Sequence, residues 1–212
     1  MIKRVQVFTP IYRLEPETVQ AVLALQWDGP ISWVFQRDNP LPVVDRESGR
    51  LNILHQYQQA RDRFLSGNDD ALLVIESDIV PPADALRKLA ALDADVAYGV
   101  YRFRVSNVIN IFERYPGEPP PRNEGQSLSL HRRKLARAVR VGSVPCTGGG
   151  LGCALIKRHV LEAIPFRLEN TAHCDSYFNR DVLHHGFEQM AEMTVICGHK
   201  AEDGRMLWPE LT

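Results

Sequence analysis

Short apolar runs alternate with stretches of helical periodicity through the first half of the chain, the rhythm of a βαβ sheet whose helices pack on its faces. Val5 to Thr9 is the first such run, stopped by Pro10, and Glu15-Pro16-Glu17 then starts a helix whose apolar face is Val19, Val22, Leu23 and Leu25. Ile31 to Phe35 reads as the second strand, followed by a polar Arg37-Asp38-Asn39-Pro40 turn and a loop of turn formers through Gly49. A helix is predicted from about Leu51 to Leu65. Leu72-Leu73-Val74-Ile75 is apolar without interruption, as expected of a strand covered on both faces, and it ends abruptly in Glu76-Ser77-Asp78. Pro81-Pro82 opens a helix carrying Leu86, Leu89 and Leu92, and Val96 to Val100 reads as a fourth strand.

The pattern changes between Arg102 and Val144, where Pro119-Pro120-Pro121, three glycines and the basic residues Arg132, Arg133, Lys134, Arg137 and Arg140 suggest an excursion or flap. Beyond it lie Gly148-Gly149-Gly150, an apolar Leu151 to Ile156, and a helical Arg158 to Ile164 ended by Pro165. Asp175 to His185 is predicted as the last helix, with Asp175 as N-cap and Gly186 as its stop, before a strand near Thr194 to Ile196. No internal repeat is visible, so the 212 residues are expected to form one α/β domain with the excursion at about 102–144.

Composition narrows the function classes. Hydrophobic residues make up 44% and charged residues 24%, the balance of a soluble globular chain. Lys plus Arg number 25 against 26 for Asp plus Glu, a formal charge of -1, so phosphate recognition has to be local and a general nucleic-acid or membrane attraction is not expected. Met1-Ile2-Lys3-Arg4-Val5 lacks the apolar run of a signal peptide, and no stretch approaches the roughly 18 apolar residues of a membrane span, so a cytoplasmic location is expected. The four cysteines, at 146, 153, 174 and 197, are expected to be reduced.

Glu76 and Asp78 occupy the end of the buried strand, the edge at which α/β sheets bind ligands. Two residues apart in an extended segment, they point the same way and repel unless a proton or cation lies between them. Hard oxygen ligands suit Mg²⁺ or Mn²⁺, which would bridge to a nucleotide diphosphate. The alternative is a solvated strand end ahead of Pro81-Pro82.

Several motifs, in order, resemble the nucleotide-sugar-dependent glycosyltransferases of the GT-A fold, close to the family 2 type, over residues 1 to about 200. Thr9-Pro10, Asp38-Asn39 and the string from Leu73 to Pro82 are similar to that family's nucleotide site and its Asp-x-Asp metal motif. Gly148-Gly149-Gly150-Leu151-Gly152-Cys153-Ala154-Leu155-Ile156 followed by Val160-Leu161 resembles the glycine-rich segment lining its sugar and acceptor pocket. Cys174-Asp175-Ser176-Tyr177-Phe178, then Gly186 and Cys197-Gly198-His199, resembles its acidic catalytic motif and a C-terminal metal-binding histidine. Two positions depart from the pattern: Glu76 stands where Asp is usual, longer by one methylene, and Cys174-Asp175 stands where Glu-Asp is commoner.

The resemblance implies a mixed sheet flanked by helices and a metal-dependent, inverting transfer of a sugar from a nucleotide-diphosphate donor, a UDP-sugar in the first instance, to an acceptor hydroxyl. It implies Asp78 as metal ligand with Glu76 and His199 in support, and Asp175 as the base. Thr9, Asp38, Arg61, Glu76, Gly148, Gly149 and Gly150 are implied on the donor side. Against these roles, Asp175 also reads as a plain helix N-cap, Asp38 as part of an Asp-Asn-Pro turn, Arg61 as a surface residue beside Asp62 and Arg63, and the glycines as a tight turn. His173, Cys174, His184, His185, Cys197 and His199 cluster in sequence, but Cys197-x-His199 is too tight for paired zinc ligands and adjacent histidines on a helix diverge. The acceptor is not named by the sequence. Three other classes stay open: a sugar-nucleotide-forming nucleotidyltransferase, although Thr9-Pro10-Ile11-Tyr12-Arg13 lacks the glycine-rich basic loop this would need; a non-catalytic nucleotide-sugar binder; and a nucleic-acid-binding module using the basic flap.

Overall fold

Whether the apolar run at 72–75 is covered on both faces depends on what flanks it in space. In the computed structural model, which describes residues 2–13, 15–104, 108–113, 131–132, 142–169 and 172–209, it is. The first half of the chain runs β1 (Val5–Pro10), α1 (Pro16–Leu23), β2 (Ile31–Gln36), α2 (Arg46–Ser66), β3 (Ala71–Ile75), β4 (Ile79–Val80), α3 (Ala85–Ala91) and β5 (Val96–Val100). The second half adds β6 (Ile111–Glu113), β7 (His131–Arg132), β8 (Ser143–Pro145), β9 (Gly148–Gly149), β10 (Cys153–Lys157), α4 (Arg158–Ala163), α5 (Cys174–His184), β11 (Gln189–Ile196), β12 (Gly198–Lys200) and β13 (Met206–Leu207).

Seven strands form the main sheet in the order β2-β1-β3-β10-β5-β11-β8, with β1, β2, β3, β5 and β11 running one way and β10 and β8 the other. It is therefore a mixed sheet, as expected. Alternation along the central strands divides the core in two. Leu72 and Val74 pack with Phe8, Tyr57, Phe64, Phe166 and Phe178 on the face covered by α2, α4 and α5. Leu73 and Ile75 pack with Val5, Val7, Val22, Leu86 and Leu89 on the face covered by α1 and α3. Two three-stranded sheets, β13-β12-β4 and β7-β6-β9, lie beside the main one.

Several boundaries differ from the sequence reading, each for a local reason. On α1 the inward residues are Thr18 and Val22, whereas Leu23, expected inside, is 57% exposed. Helix α2 begins at Arg46 instead of near Leu51, because Asp45 and Ser48 form a reciprocal capping box: the Ser48 amide donates to Asp45 Oδ1 at 2.8 Å and the Asp45 amide to Ser48 Oγ at 3.1 Å. That cap outweighs the cost, about 1 kcal/mol, of placing Gly49 inside a helix. The N-cap of α5 is His173 rather than Asp175, which lies in the first turn and accepts from the Ser176 amide at 2.7 Å. Gly186 ends α5 with φ +74°, a left-handed conformation natural to glycine. Strand β11 starts at Gln189, five residues before the predicted Thr194, its alternation of buried with half-buried or exposed positions concealed by Gln189, Glu192 and Thr194.

The excursion at 102–144 is part of the fold at both ends. Ile109, Ile111 and Val144 are core residues, β6 pairs with β9, and β8 closes the main sheet beside β11. Arg133, Lys134, Arg137 and Arg140 lie outside the described residues. Among the described residues no helix is long and apolar enough to cross a membrane.

Candidate functional site

Five strands of the main sheet deliver their carboxyl ends to one edge, at Pro10, Gln36, Ile75, Val100 and Ile196. This is the edge at which α/β sheets bind ligands. Glu76-Ser77-Asp78 turns there and is fixed by its backbone: the Glu76 amide donates to the Gly152 carbonyl at 3.0 Å, Ile79 to the Glu76 carbonyl at 3.0 Å, and Lys200 to the Asp78 carbonyl at 2.7 Å. The last of these bonds brings β12, and with it His199, beside Asp78.

The His199 ring is fixed in orientation and tautomer. Its Nδ1 lies 2.7 Å from the Arg102 carbonyl, which can only accept, so Nδ1 carries the proton. Burial, and the Arg104 charge, hold His199 below its ordinary value and favour the neutral ring. Nε2 then presents a lone pair 3.6 Å from Asp78 Oδ2. Tyr101 packs edge-on against the ring at 5.3 Å between centroids. The Arg104 guanidinium pairs with the same Asp78 Oδ2 and, through Nε, donates to the Lys200 carbonyl at 3.2 Å.

Glu76 faces differently. The Tyr57 hydroxyl donates to its Oε1 at 3.1 Å, and Tyr57 is held between Phe8 and Phe166. Burial pushes the Glu76 carboxyl up, the Asp175 charge adds to this, and the Tyr57 bond opposes it. Asp175 is pushed up as well, chiefly by burial, against the pull of His173 and the Ser176 amide. The carboxylates of the β3 turn and the first turn of α5, distant in sequence, therefore share one electrostatic environment. Tyr101 belongs to it: burial, then Glu76 and Asp175, raise its hydroxyl, which accepts from the Gly152 amide at 3.3 Å.

The remaining residues singled out by sequence are placed as follows. Thr9, at the carboxyl end of β1, is 2% exposed and its Oγ1 has no hydrogen-bond partner among the described residues. Asp38 follows β2 and pairs with His55 Nε2 at 3.0 Å, its side chain 67% exposed. Arg61 is drawn to the end of α4 by the Leu161 carbonyl at 2.7 Å and the Glu162 carbonyl at 3.4 Å. At Gly148, Gly149 and Gly150 a Cβ would meet Asn179, Tyr98 and Tyr101 at 2.7, 2.7 and 2.1 Å, so the close approach these glycines permit is to buried side chains. Tyr57, Tyr101 and Arg104 were not singled out from sequence. The signal for the latter two was available, since Tyr101 to Arg104 leaves β5 at the same carboxyl edge as Glu76.

Asp78 Oδ2 and the unprotonated His199 Nε2 are two acceptors facing one another; the carboxylate suits Mn²⁺ or Mg²⁺, and the imidazole nitrogen favours a transition ion such as Mn²⁺ over Mg²⁺. The Arg104 pairing shows that this position takes a cation. Glu76, expected as a further ligand, is bonded to Tyr57, and among the described residues no three His, Cys, Asp or Glu side chains are grouped to hold a metal ion. Asp78 and His199 would be the two protein ligands for such an ion. Of the His and Cys cluster, Cys197 instead packs with Cys153 in the core, and His184 and His185 lie at the end of α5.

No protein-family profile and no curated protein matches the sequence. Solved structures do. A197 from STIV superposes with a TM-score of 0.61 at 17% identity, over 98% of this chain and 94% of that one. GalNAc-T7, solved with UDP, GalNAc and Mn²⁺, superposes with a TM-score of 0.57 at 10% identity, over 93% of this chain and 44% of that one. The seven-stranded mixed sheet and its helices thus have the GT-A glycosyltransferase fold. At these identities the likeness is one of fold.

Proposed function

We propose that the protein is a glycosyltransferase that moves a sugar from a nucleoside-diphosphate donor, a UDP-sugar first, to an acceptor hydroxyl with inversion. The observation that carries this reading is the gathering of Asp78, His199, Glu76 and Asp175 at the carboxyl edge of a GT-A sheet. It is supported by GalNAc-T7, a protein of like fold whose structure was solved with UDP, GalNAc and Mn²⁺. Asp78 and His199 would hold Mn²⁺ or Mg²⁺, which when bound offsets charge developing on the diphosphate. The unpartnered hydroxyl of Thr9 and the exposed carboxylate of Asp38 are the groups offered to the nucleotide.

Asp175 takes the proton of the acceptor hydroxyl as its oxygen attacks the anomeric carbon. The bond from that carbon to the diphosphate oxygen breaks, and the leaving group departs with the electron pair. A carboxylate raised from its ordinary value holds a proton more firmly, which favours this transfer once the site is deprotonated. Glu76 stays bound to Tyr57, and it is the Asp175 charge that, after burial, raises the Glu76 carboxyl.

The test is thermal stabilisation by UDP, GDP and their sugars, with Mn²⁺ and again with chelator. Metal-dependent stabilisation by one nucleotide family is the expected result, followed by turnover with the matching donor. A lack of any shift at millimolar ligand would overturn the reading.

A further inference from the structure

We infer that Arg104 is an exchangeable counter-ion: it neutralises Asp78 when the donor is absent and moves to the donor diphosphate when a divalent cation takes its place. The inference rests on the donor reading above. Its basis is that one oxygen, Asp78 Oδ2, is claimed twice. It carries the Arg104 guanidinium and is the oxygen facing the His199 Nε2 lone pair at 3.6 Å. A divalent ion bridging Asp78 and His199 would sit against a fixed positive charge on the same carboxylate, and the two cations repel. Arg104 therefore leaves Asp78 as the ion arrives.

The exchange has a short path. Arg104 is 38% exposed and its second described bond is to the Lys200 carbonyl, a neutral acceptor next to His199 in the chain. From that tether the guanidinium can turn from carboxylate to phosphate, and its planar fork suits phosphate oxygens bidentately. Arg104 thus opposes the metal alone and favours the metal together with a diphosphate. Binding of Mn²⁺ and of nucleoside diphosphate then becomes mutually reinforcing, as linkage requires. In the absence of donor, the Asp78 and His199 pair is kept from loading with free metal.

The experiment measures free Mn²⁺ by electron paramagnetic resonance during titration of the whole protein, and UDP affinity by calorimetry at saturating Mn²⁺. For Arg104→Gln, Mn²⁺ alone is expected to bind about fivefold tighter, the scale of a partly exposed ion pair, while UDP with Mn²⁺ binds about tenfold more weakly. Arg104→Lys keeps the charge and should leave Mn²⁺ affinity near that of the wild type, which separates the effect from loss of structure. Unchanged or weaker Mn²⁺ binding by Arg104→Gln overturns the competition at Asp78. Tighter Mn²⁺ binding with unchanged UDP affinity overturns the transfer to diphosphate. A wild-type protein that binds Mn²⁺ but no nucleoside diphosphate overturns the glycosyltransferase reading and the transfer step with it, while the spectroscopic comparison still decides the competition.

Discussion

The Tyr57 hydroxyl donates to Glu76 Oε1 across 3.1 Å, tying the middle of α2 to the turn that ends β3. Both groups are raised, Tyr57 well above its ordinary range by burial and then by Glu76, and Glu76 above 4.5 by burial and then by Asp175. A carboxyl raised on folding binds more protons folded than unfolded, so its cost to stability is absent below pH 4.5 and grows as pH rises through the folded value. Glu76→Gln keeps the acceptor for Tyr57 and removes that cost. Its melting temperature is expected to rise at pH 7, by something on the order of 2 °C, with the gain vanishing below the ordinary carboxylate range. A melting series from pH 4 to 8 checks this, and a gain independent of pH would contradict the burial argument.

Asp175→Asn tests the base. Turnover should fall by about 10²- to 10⁴-fold, the usual contribution of general-base catalysis, with UDP affinity unchanged. In the wild type the acid limb of kcat/KM should lie above the ordinary 3.8 of an aspartate, since burial raises Asp175. Parallel loss of UDP binding would instead mark Asp175 as a residue of the donor pocket.

Thr9 Oγ1 is buried without a partner, and a hydroxyl so placed costs stability unless a ligand satisfies it. Thr9→Val should leave the melting temperature unchanged or higher while weakening UDP about three- to tenfold, the scale of one hydrogen bond. Calorimetry and a melting curve on the same preparation are sufficient. A variant that melts higher and binds UDP as before would make the hydroxyl a mere relic of the core.

A Cβ at Gly150 would sit 2.1 Å from Tyr101 Oη and 3.4 Å from Asn110 Cβ. Gly150→Ala is expected to cost about 1–3 kcal/mol, as overpacking does. Removing the hydroxyl with Tyr101→Phe relieves the shorter contact, so the alanine should cost less in that background. A double-mutant cycle from denaturant unfolding measures the coupling, and simple additivity would mean the backbone yields instead.

Much of the site was legible because strand ends are local features. The uninterrupted Leu72 to Ile75 run, broken by Glu76 and Asp78, announces a doubly covered strand and its carboxyl edge without reference to any other part of the chain. Asp175 was legible as the start of a helix, although it reads as the N-cap in sequence and the structure gives that place to His173 and puts Asp175 in the first turn. The start of α2 was missed because Gly49 speaks for a loop in isolation, while the Asp45 and Ser48 cap acts only as a pair. Arg61 shows what sequence position leaves open: it lies on the helix ahead of β3, but the carbonyls that hold its guanidinium belong to α4, a hundred residues away.

The amino-acid order by itself determined the alternation of strands and helices, the acidic strand end and the α/β class, since each depends on periodicity within a few residues. Only the tertiary structure decided which groups meet. Asp78 faces His199 because β4 and β12 pair, Glu76 senses Asp175 because α5 packs against α2 and β9, and Arg104 reaches Asp78 because β5 ends on the same edge. Charges interact through space at distances set by sheet order, and strand order here departs from chain order at β10, between β3 and β5.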